Sequence, residues 1–302
     1  MSIRNKAGKI IANLLIKSGW VNRTARQIKA SDQIIALCFH YPNRHLFETC
    51  IKWLRDHDFH FISTNDLEAI AAGKQTFPKG AVIITLDDGW QGNVTEVIPV
   101  AKKYGVPIEV YVSTGPVENG DAYWWSYVGK ARAKGLIREN AEYYKQLPND
   151  ERLTRVNALK SQLSLGREAM TIEELREISH VPEVSLGSHT VTHPILPCCS
   201  NATAKQEILA SKNQLEEWIE KPVLHFAYPN GDYTTREITL LKKFGYTLAF
   251  SIEQRFITPE RLKNCYTLPR FMMVESVSVE ENICRMLGCW PIAKAKKKIF
   301  YP

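Results

Sequence analysis

Residues 81–89 read Ala-Val-Ile-Ile-Thr-Leu-Asp-Asp-Gly, an apolar run that stops at two carboxylates and a glycine. Ala81–Leu86 carries no charge and no polar alternation, as in a strand covered on both faces. Strands of that kind belong to parallel sheets with helices packed around them. Asp87 and Asp88 do not continue it comfortably, because consecutive side chains point to opposite faces and an unpaired carboxylate on a buried face is costly. The strand therefore ends near Leu86, and Gly89 lets the chain turn so that both acids reach one cleft. Asp-Gly is also an ordinary turn dipeptide, and this stretch alone does not demand more than a turn.

Short, mostly apolar stretches recur on either side. Ile34–Phe39, Phe59–Ile62, Ile108–Val112, Val184–Leu186, Val223–Ala227 and Thr247–Ser251 read as further strands. Helical spacing lies between them: Phe47–His57, then Val94, Val97, Ile98, Ala101 and Tyr104 ahead of Gly105. A capping box at Thr171–Glu174 opens a helix to about Ser179, and Ile208, Leu215, Trp218 and Ile219 mark another. Residues 121–166 are polar and helix-prone, and read as a helical insertion. Strand and helix alternate without repeat or long linker. That predicts one α/β domain over residues 31–290 with a mostly parallel sheet, either a barrel or doubly wound. Catalytic groups then belong where strands end and loops begin.

The chain has 302 residues, 44% apolar and 24% charged, which excludes disorder. No run approaches the roughly eighteen apolar residues of a membrane span. Seven cysteines without a CxxC pair fit neither a disulfide framework nor a zinc ribbon, and favour a reducing, cytoplasmic compartment. The net charge of +7 belongs to the chain ends: residues 1–30 carry seven positive side chains and no acid, and the tail 291–302 carries Lys294, Lys296, Lys297 and Lys298. The body between them is net negative, which argues against a nucleic-acid partner. Near the start, Ile3, Ala7, Ile10, Ile11, Leu14 and Leu15 fall at helical spacing opposite Lys6, Lys9, Asn13 and Lys17. Asn13 interrupts the apolar stretch, so residues 1–30 read as a basic amphipathic helical segment and not as a signal peptide. Such a helix suits the headgroup layer of an anionic membrane; alternatively its apolar face packs against the barrel.

A second group is Gly187-Ser-His-Thr-Val-Thr-His-Pro194, again directly after a strand. Imidazoles four residues apart can face one metal from a single helical turn, though such pairs are also common on surfaces. Zinc would want a third ligand and an open position. His45, His57, His60 and His180 lie in or beside helical or polar stretches, and His225 reads as a hydrogen-bonded core histidine.

Thr85-Leu-Asp-Asp-Gly89, then Ser188-His-Thr-x-Thr-His-Pro194, then Phe226-Ala-Tyr-Pro-Asn-Gly231, in that order, resembles the polysaccharide deacetylases of carbohydrate esterase family four, over about residues 34–275. The resemblance implies a distorted, incomplete (β/α) barrel with one divalent metal ion, usually zinc. It implies that Asp88, His189 and His193 hold the metal, that Asp87 is the general base, and that the backbone N–H of Tyr228 is an oxyanion donor. These roles suit amide hydrolysis: a metal polarises the carbonyl, a base takes a proton from water, and a fixed donor receives the oxyanion. The departing amine also needs an acid. No Leu-x-His-Asp stands near the C-terminus, but Cys38-Phe-His40-Tyr ends the first strand. A subgroup acting on poly-N-acetylglucosamine-like polymers looks circularly permuted, with this histidine supplied by the N-terminal strand. That makes His40 the candidate acid, against the alternative of a strand-end histidine with a structural role.

The family's third motif normally begins with an arginine that holds the catalytic aspartate, and Phe226 stands there instead. Arg270 can replace it, or be an ordinary surface arginine. Trp124 and Trp125 can stack on sugar rings or fill a core. The expectation is a metal-dependent hydrolase that removes N-acetyl groups from an amino-sugar polysaccharide or lipid-linked glycan. The alternatives are an amidase on a non-carbohydrate amide and a catalytically inactive carbohydrate-binding module.

Overall fold

The computed structural model describes residues 3–290, so the lysine cluster at 294–298 lies outside the described residues. Eight strands form one sheet: β1 (Ile35–Phe39), β2 (His60–Phe61), β3 (Ala81–Leu86), β4 (Ile108–Val112), β5 (Val184–Ser188), β6 (His225–Ala227), β7 (Leu248–Phe250) and β8 (Phe271–Met272). Their order is β7-β6-β5-β4-β3-β1-β8, with β2 beside the start of β3, and every strand pair is parallel. Each residue of β1, β3 and β4 is buried, including Glu109, which interrupts the apolar run of β4.

The sheet curls. One irregular segment, residues 265–273, crosses from β7 to β1: Ala249 N–H donates to Cys265 O, Leu268 N–H to Ala249 O, and Ser251 N–H to Leu268 O. The same segment then pairs with β1 as β8, and Met273 N–H donates to Cys38 O. The result is an incomplete barrel with surrounding helices. The sequence reading did not anticipate β8, because two residues of strand leave no periodic signal.

Alternation along the strands divides the apolar side chains into two sets. Val82, Ile84 and Leu86 pack outward with the helices, whereas Ala81 and Ile83 pack inside with Ala36, Tyr111, Ala227, Phe250 and Leu268. Thr85 and Asp87 continue the inner row of β3. The helix expected from Phe47 starts earlier, at Arg44, because the Asn43 side chain accepts from Leu46 N–H and caps it. Residues 3–30 form two helices, Ile3–Lys17 and Trp20–Ala30, separated at Gly19, whose φ of 76° lies in the left-handed region. Within 121–166 the helices Trp124–Ala133, Ala141–Tyr144 and Asn149–Lys160 pack around a cluster of their own that includes Val128, Ala131, Val156 and Leu159.

Candidate active site

The C-terminal ends of β1, β3, β5 and β6 converge on one cleft of about 510 Å³, lined among others by His40, Asp87, Asp88, Trp125, His189 and His193. At the end of β3, Asp87 N–H still donates to Phe39 O at 2.8 Å, and the turn follows at Asp88 and Gly89, with φ of 75° and 83°. The left-handed turn swings the Asp88 side chain off the strand and into the cleft that Asp87 reaches from the inner row. The histidine pair is arranged differently from the expectation. His189 and His193 do not share a helical turn: they lie on a loop after β5, in which Thr190 and His193 take φ of 69° and 50°. Reversed backbone curvature, and not helical periodicity, brings the two rings together.

Asp88 Oδ1 lies 3.5 Å from Nε2 of both His189 and His193, and the ligand atoms of all three residues fall within 4.8 Å of one another. His189 Nδ1 bonds to Ala227 O at 2.7 Å; a carbonyl only accepts, so the proton sits on Nδ1 and the Nε2 lone pair points at the centre. Trp90 Nε1 donates to Asp88 Oδ2 at 2.9 Å, which leaves Oδ1 buried with no hydrogen-bond partner. Burial, helped by the nearby charges of His189 and Arg152 against that of Asp88, pushes the His193 imidazole down to about 3, so it is neutral and able to ligate. Two imidazole nitrogens and one orphaned carboxylate oxygen fit a divalent ion with open positions.

Behind this group, Arg270 is fully buried and grips Asp87 with both ends of its fork, Nη1 to Oδ1 at 2.7 Å and Nη2 to Oδ2 at 2.8 Å. Its Nη1 also donates to Thr85 Oγ1 at 2.9 Å and its Nε to Ser251 O at 3.1 Å. Arg270 is therefore not a surface arginine. Burial would raise the Asp87 carboxyl, but the guanidinium outweighs it and holds the group below the usual carboxylate range. Cys38, whose thiol burial pushes far up, donates to Asp87 Oδ2 at 3.3 Å.

His40 stands at the mouth, and the ligand atoms of His40, Cys38 and Asp87 lie within 4.8 Å of one another. Glu275 Oε1 accepts from the His40 backbone N–H at 2.9 Å and lies 3.9 Å from its Nδ1, so an acid stands beside this imidazole. Glu275 follows β8, and a sequence that did not show β8 gave no reason to single it out.

The Tyr228 assignment is corrected. Its backbone N–H donates to Phe250 O at 3.0 Å, because residue 228 extends the β6–β7 ladder, and its hydroxyl donates to Tyr266 O at 2.9 Å. Tyr228 is fully buried and offers the cleft no donor from that N–H. Two residues on, Asn230 (φ 55°) lines the cleft, and its Nδ2 is buried with no hydrogen-bond partner. The two tryptophans also part company. Trp125 lines the cleft with its ring 4.6 Å from that of His193, whereas Trp124 is buried in the insertion and donates from Nε1 to His193 O at 3.1 Å.

That carbonyl takes a second bond, from Arg152 Nη1 at 3.1 Å, and on the other side Glu207 Oε2 accepts from the N–H groups of Val191 and Thr192, each at 2.8 Å. The loop that carries both histidines is thus held from both flanks. Arg152 and Glu207 belong to none of the sequence motifs, and only the fold brings them to this loop. His225 is buried, as its strand position suggested, with Nδ1 2.9 Å from Glu109 Oε1 and Nε2 3.1 Å from Glu68 Oε2.

The sequence profile of the polysaccharide deacetylase family matches residues 74–249. A poly-β-1,6-N-acetyl-D-glucosamine N-deacetylase of Staphylococcus aureus is 25% identical over 228 residues, which cover 75% of this chain and 66% of the relative, just under two thirds of its length. Among solved structures, IcaB from Ammonifex degensii superposes with a TM-score of 0.63 at 18% identity, covering 85% of this chain and 98% of that one. The Streptococcus pyogenes deacetylase PplD, solved with acetate, gives 0.62 at 19% identity, covering 84% and 98%. Both solved structures share the incomplete barrel. With the profile matched over more than half of its length, the chain belongs to the polysaccharide deacetylase family.

Proposed function

We propose that the protein is a metal-dependent hydrolase that removes N-acetyl groups from an amino-sugar polysaccharide and releases acetate. The observation that carries this reading is the placement of Asp87, clamped by Arg270, beside the converging Asp88, His189 and His193 on one cleft. A divalent ion held by those three residues, zinc on the donor set, supplies Lewis acidity toward the acetamide carbonyl. Asp87, kept ionised by Arg270, takes a proton from the attacking water. The Asn230 amide donates to the carbonyl oxygen as charge develops there. His40, with Glu275 beside it, protonates the departing amine, and Trp125 offers a flat wall to a sugar ring.

The deciding experiment is acetate release from N-acetylglucosamine oligomers by zinc-loaded protein. Release from the oligomers supports the reading; cleavage of simple amides with none of the oligomers would replace it with the amidase reading. Oligomer binding without stoichiometric zinc would indicate an inactive module. The same reading places the enzyme in a reducing compartment at a membrane surface, within reach of a lipid-linked glycan. Seven cysteines without a CxxC pair and the basic first helix support that placement. Cell fractionation tests it, and recovery only outside the cell would refute it.

A further inference from the structure

We infer that the outward face of helix Ile3–Lys17 is a docking surface for an anionic lipid bilayer. An amphipathic helix with a basic flank has two destinations, and the packing of this one distinguishes them. It meets helix Val279–Met286 with its small residues: Gly8 and Ala12 are buried, and Gly8 lies so near Glu281 that a Cβ there would collide with it. Asn5 Nδ2 donates to Ser276 O at 2.6 Å, and Lys9 and Arg4 pair with Glu280 and Glu281 at 3.4 and 3.5 Å. Leu15 and Ile16 are half-buried against the core.

Three large apolar side chains of the helix are therefore left outside. Ile10 is 61% exposed, Leu14 63% and Ile11 44%. Successive steps of four, four and three residues put Lys6, Ile10, Leu14 and Lys17 on one line along the helix. An apolar stripe is thus bracketed by exposed lysines, whose stems can lie along it while the ammonium groups reach phosphate. Trp20, 53% exposed, follows just beyond, and residues 1–30 contain no acid to oppose an anionic surface. A second copy of the chain is the poorer occupant. Two such stripes packed antiparallel would set Lys6 of one against Lys17 of the other.

The inner side of the helix reaches the segment that borders the cleft: Asn5 Nδ2 donates to Ser276 O, and the preceding residue, Glu275, accepts from His40 N–H. The inference does not depend on the deacetylase reading, because binding is measured without substrate.

The test is co-sedimentation of the full chain with phosphatidylcholine vesicles, with and without phosphatidylglycerol. Wild type is expected to bind the anionic vesicles and to release them as salt rises. Each exposed lysine contributes about fivefold, so the double variant K6E/K17E weakens binding by at least about 25-fold. The variant I10S/L14S loses binding by tenfold or more. Both variants alter exposed side chains, so thermal midpoints and acetate release from soluble oligomers stay at wild-type values. No binding at low salt overturns the inference, as does binding that neither variant weakens. A vesicle-free dimer that I10S/L14S converts to monomer would assign the face to self-association instead.

Discussion

Breaking the Asp87–Arg270 pair from either side should cost far more than removing it whole. Asp87 is 3% exposed and Arg270 fully buried, and the arginine makes four hydrogen bonds, two of them to the carboxylate. Arg270→Met leaves a buried carboxylate without its counter-charge, and Asp87→Asn leaves a buried guanidinium; each such loss costs about 3–5 kcal/mol. The double variant buries neither charge. It loses the bonds to Thr85 Oγ1 and Ser251 O, at about 1 kcal/mol each, and some packing against Tyr111 and Phe250. The double-mutant cycle should therefore give a coupling of at least about 3 kcal/mol, the smaller of the two single costs, with the double variant no less stable than the worse single one. Urea unfolding of chelator-treated protein measures it without any contribution from bound metal. Single-variant costs that add to within about 0.5 kcal/mol would refute the reasoning, since that is the scatter of independent sites. Kinetics supplies a second reading. Without Arg270, burial prevails and the Asp87 carboxyl rises, so the acidic limb of the pH–rate profile of Arg270→Met moves upward.

His193→Ala or Asp88→Asn should leave the barrel folded and abolish stoichiometric zinc; full zinc content in either would break the ligand assignment. Asp87→Asn should retain zinc but lose a hundredfold or more in turnover, about what a general base contributes. Arg152→Gln and Trp124→Phe each remove one donor to His193 O, and chelator competition should show metal affinity falling about tenfold for each; wild-type affinity in both would leave that clamp without a role. His40→Gln should retain its zinc, lose turnover and alter the alkaline limb, and Glu275→Gln should shift the same limb; unchanged profiles in both would exclude His40 as the acid. At His225, burial lowers the imidazole pKa, but Glu109 and then Glu68 overcome it and raise it above the usual value. A histidine raised on folding contributes its full stability below the unfolded value of about 6.5 and loses it as pH climbs through the folded one. The stability advantage of wild type over His225→Gln, read from urea midpoints, should shrink as pH rises; a gap independent of pH would contradict the pairing.

The alternating buried strands were legible because burial on both faces shows in each strand's own composition, without reference to its neighbours. Motif order carried the family resemblance, which implied Asp87, Asp88, His189 and His193, and His40 was singled out by its place at the end of the first strand. What lay beyond sequence was decided by groups that meet only after folding. Arg270 is 183 residues from Asp87, and only the crossing segment 265–273 carries it inside. Whether the Tyr228 N–H is a free donor depends on β7, which takes it. Trp124 and Trp125 are neighbours with the same chemistry, and the surface that each meets assigns one to the His193 carbonyl and the other to the cleft. The first helix likewise offers several apolar side chains by its periodicity, but its partner helix covers Gly8 and Ala12 and leaves Ile10 and Leu14 exposed. Periodicity determines which side chains share a face; which face is covered depends on the shape of the surface it meets, and that exists only in the tertiary structure.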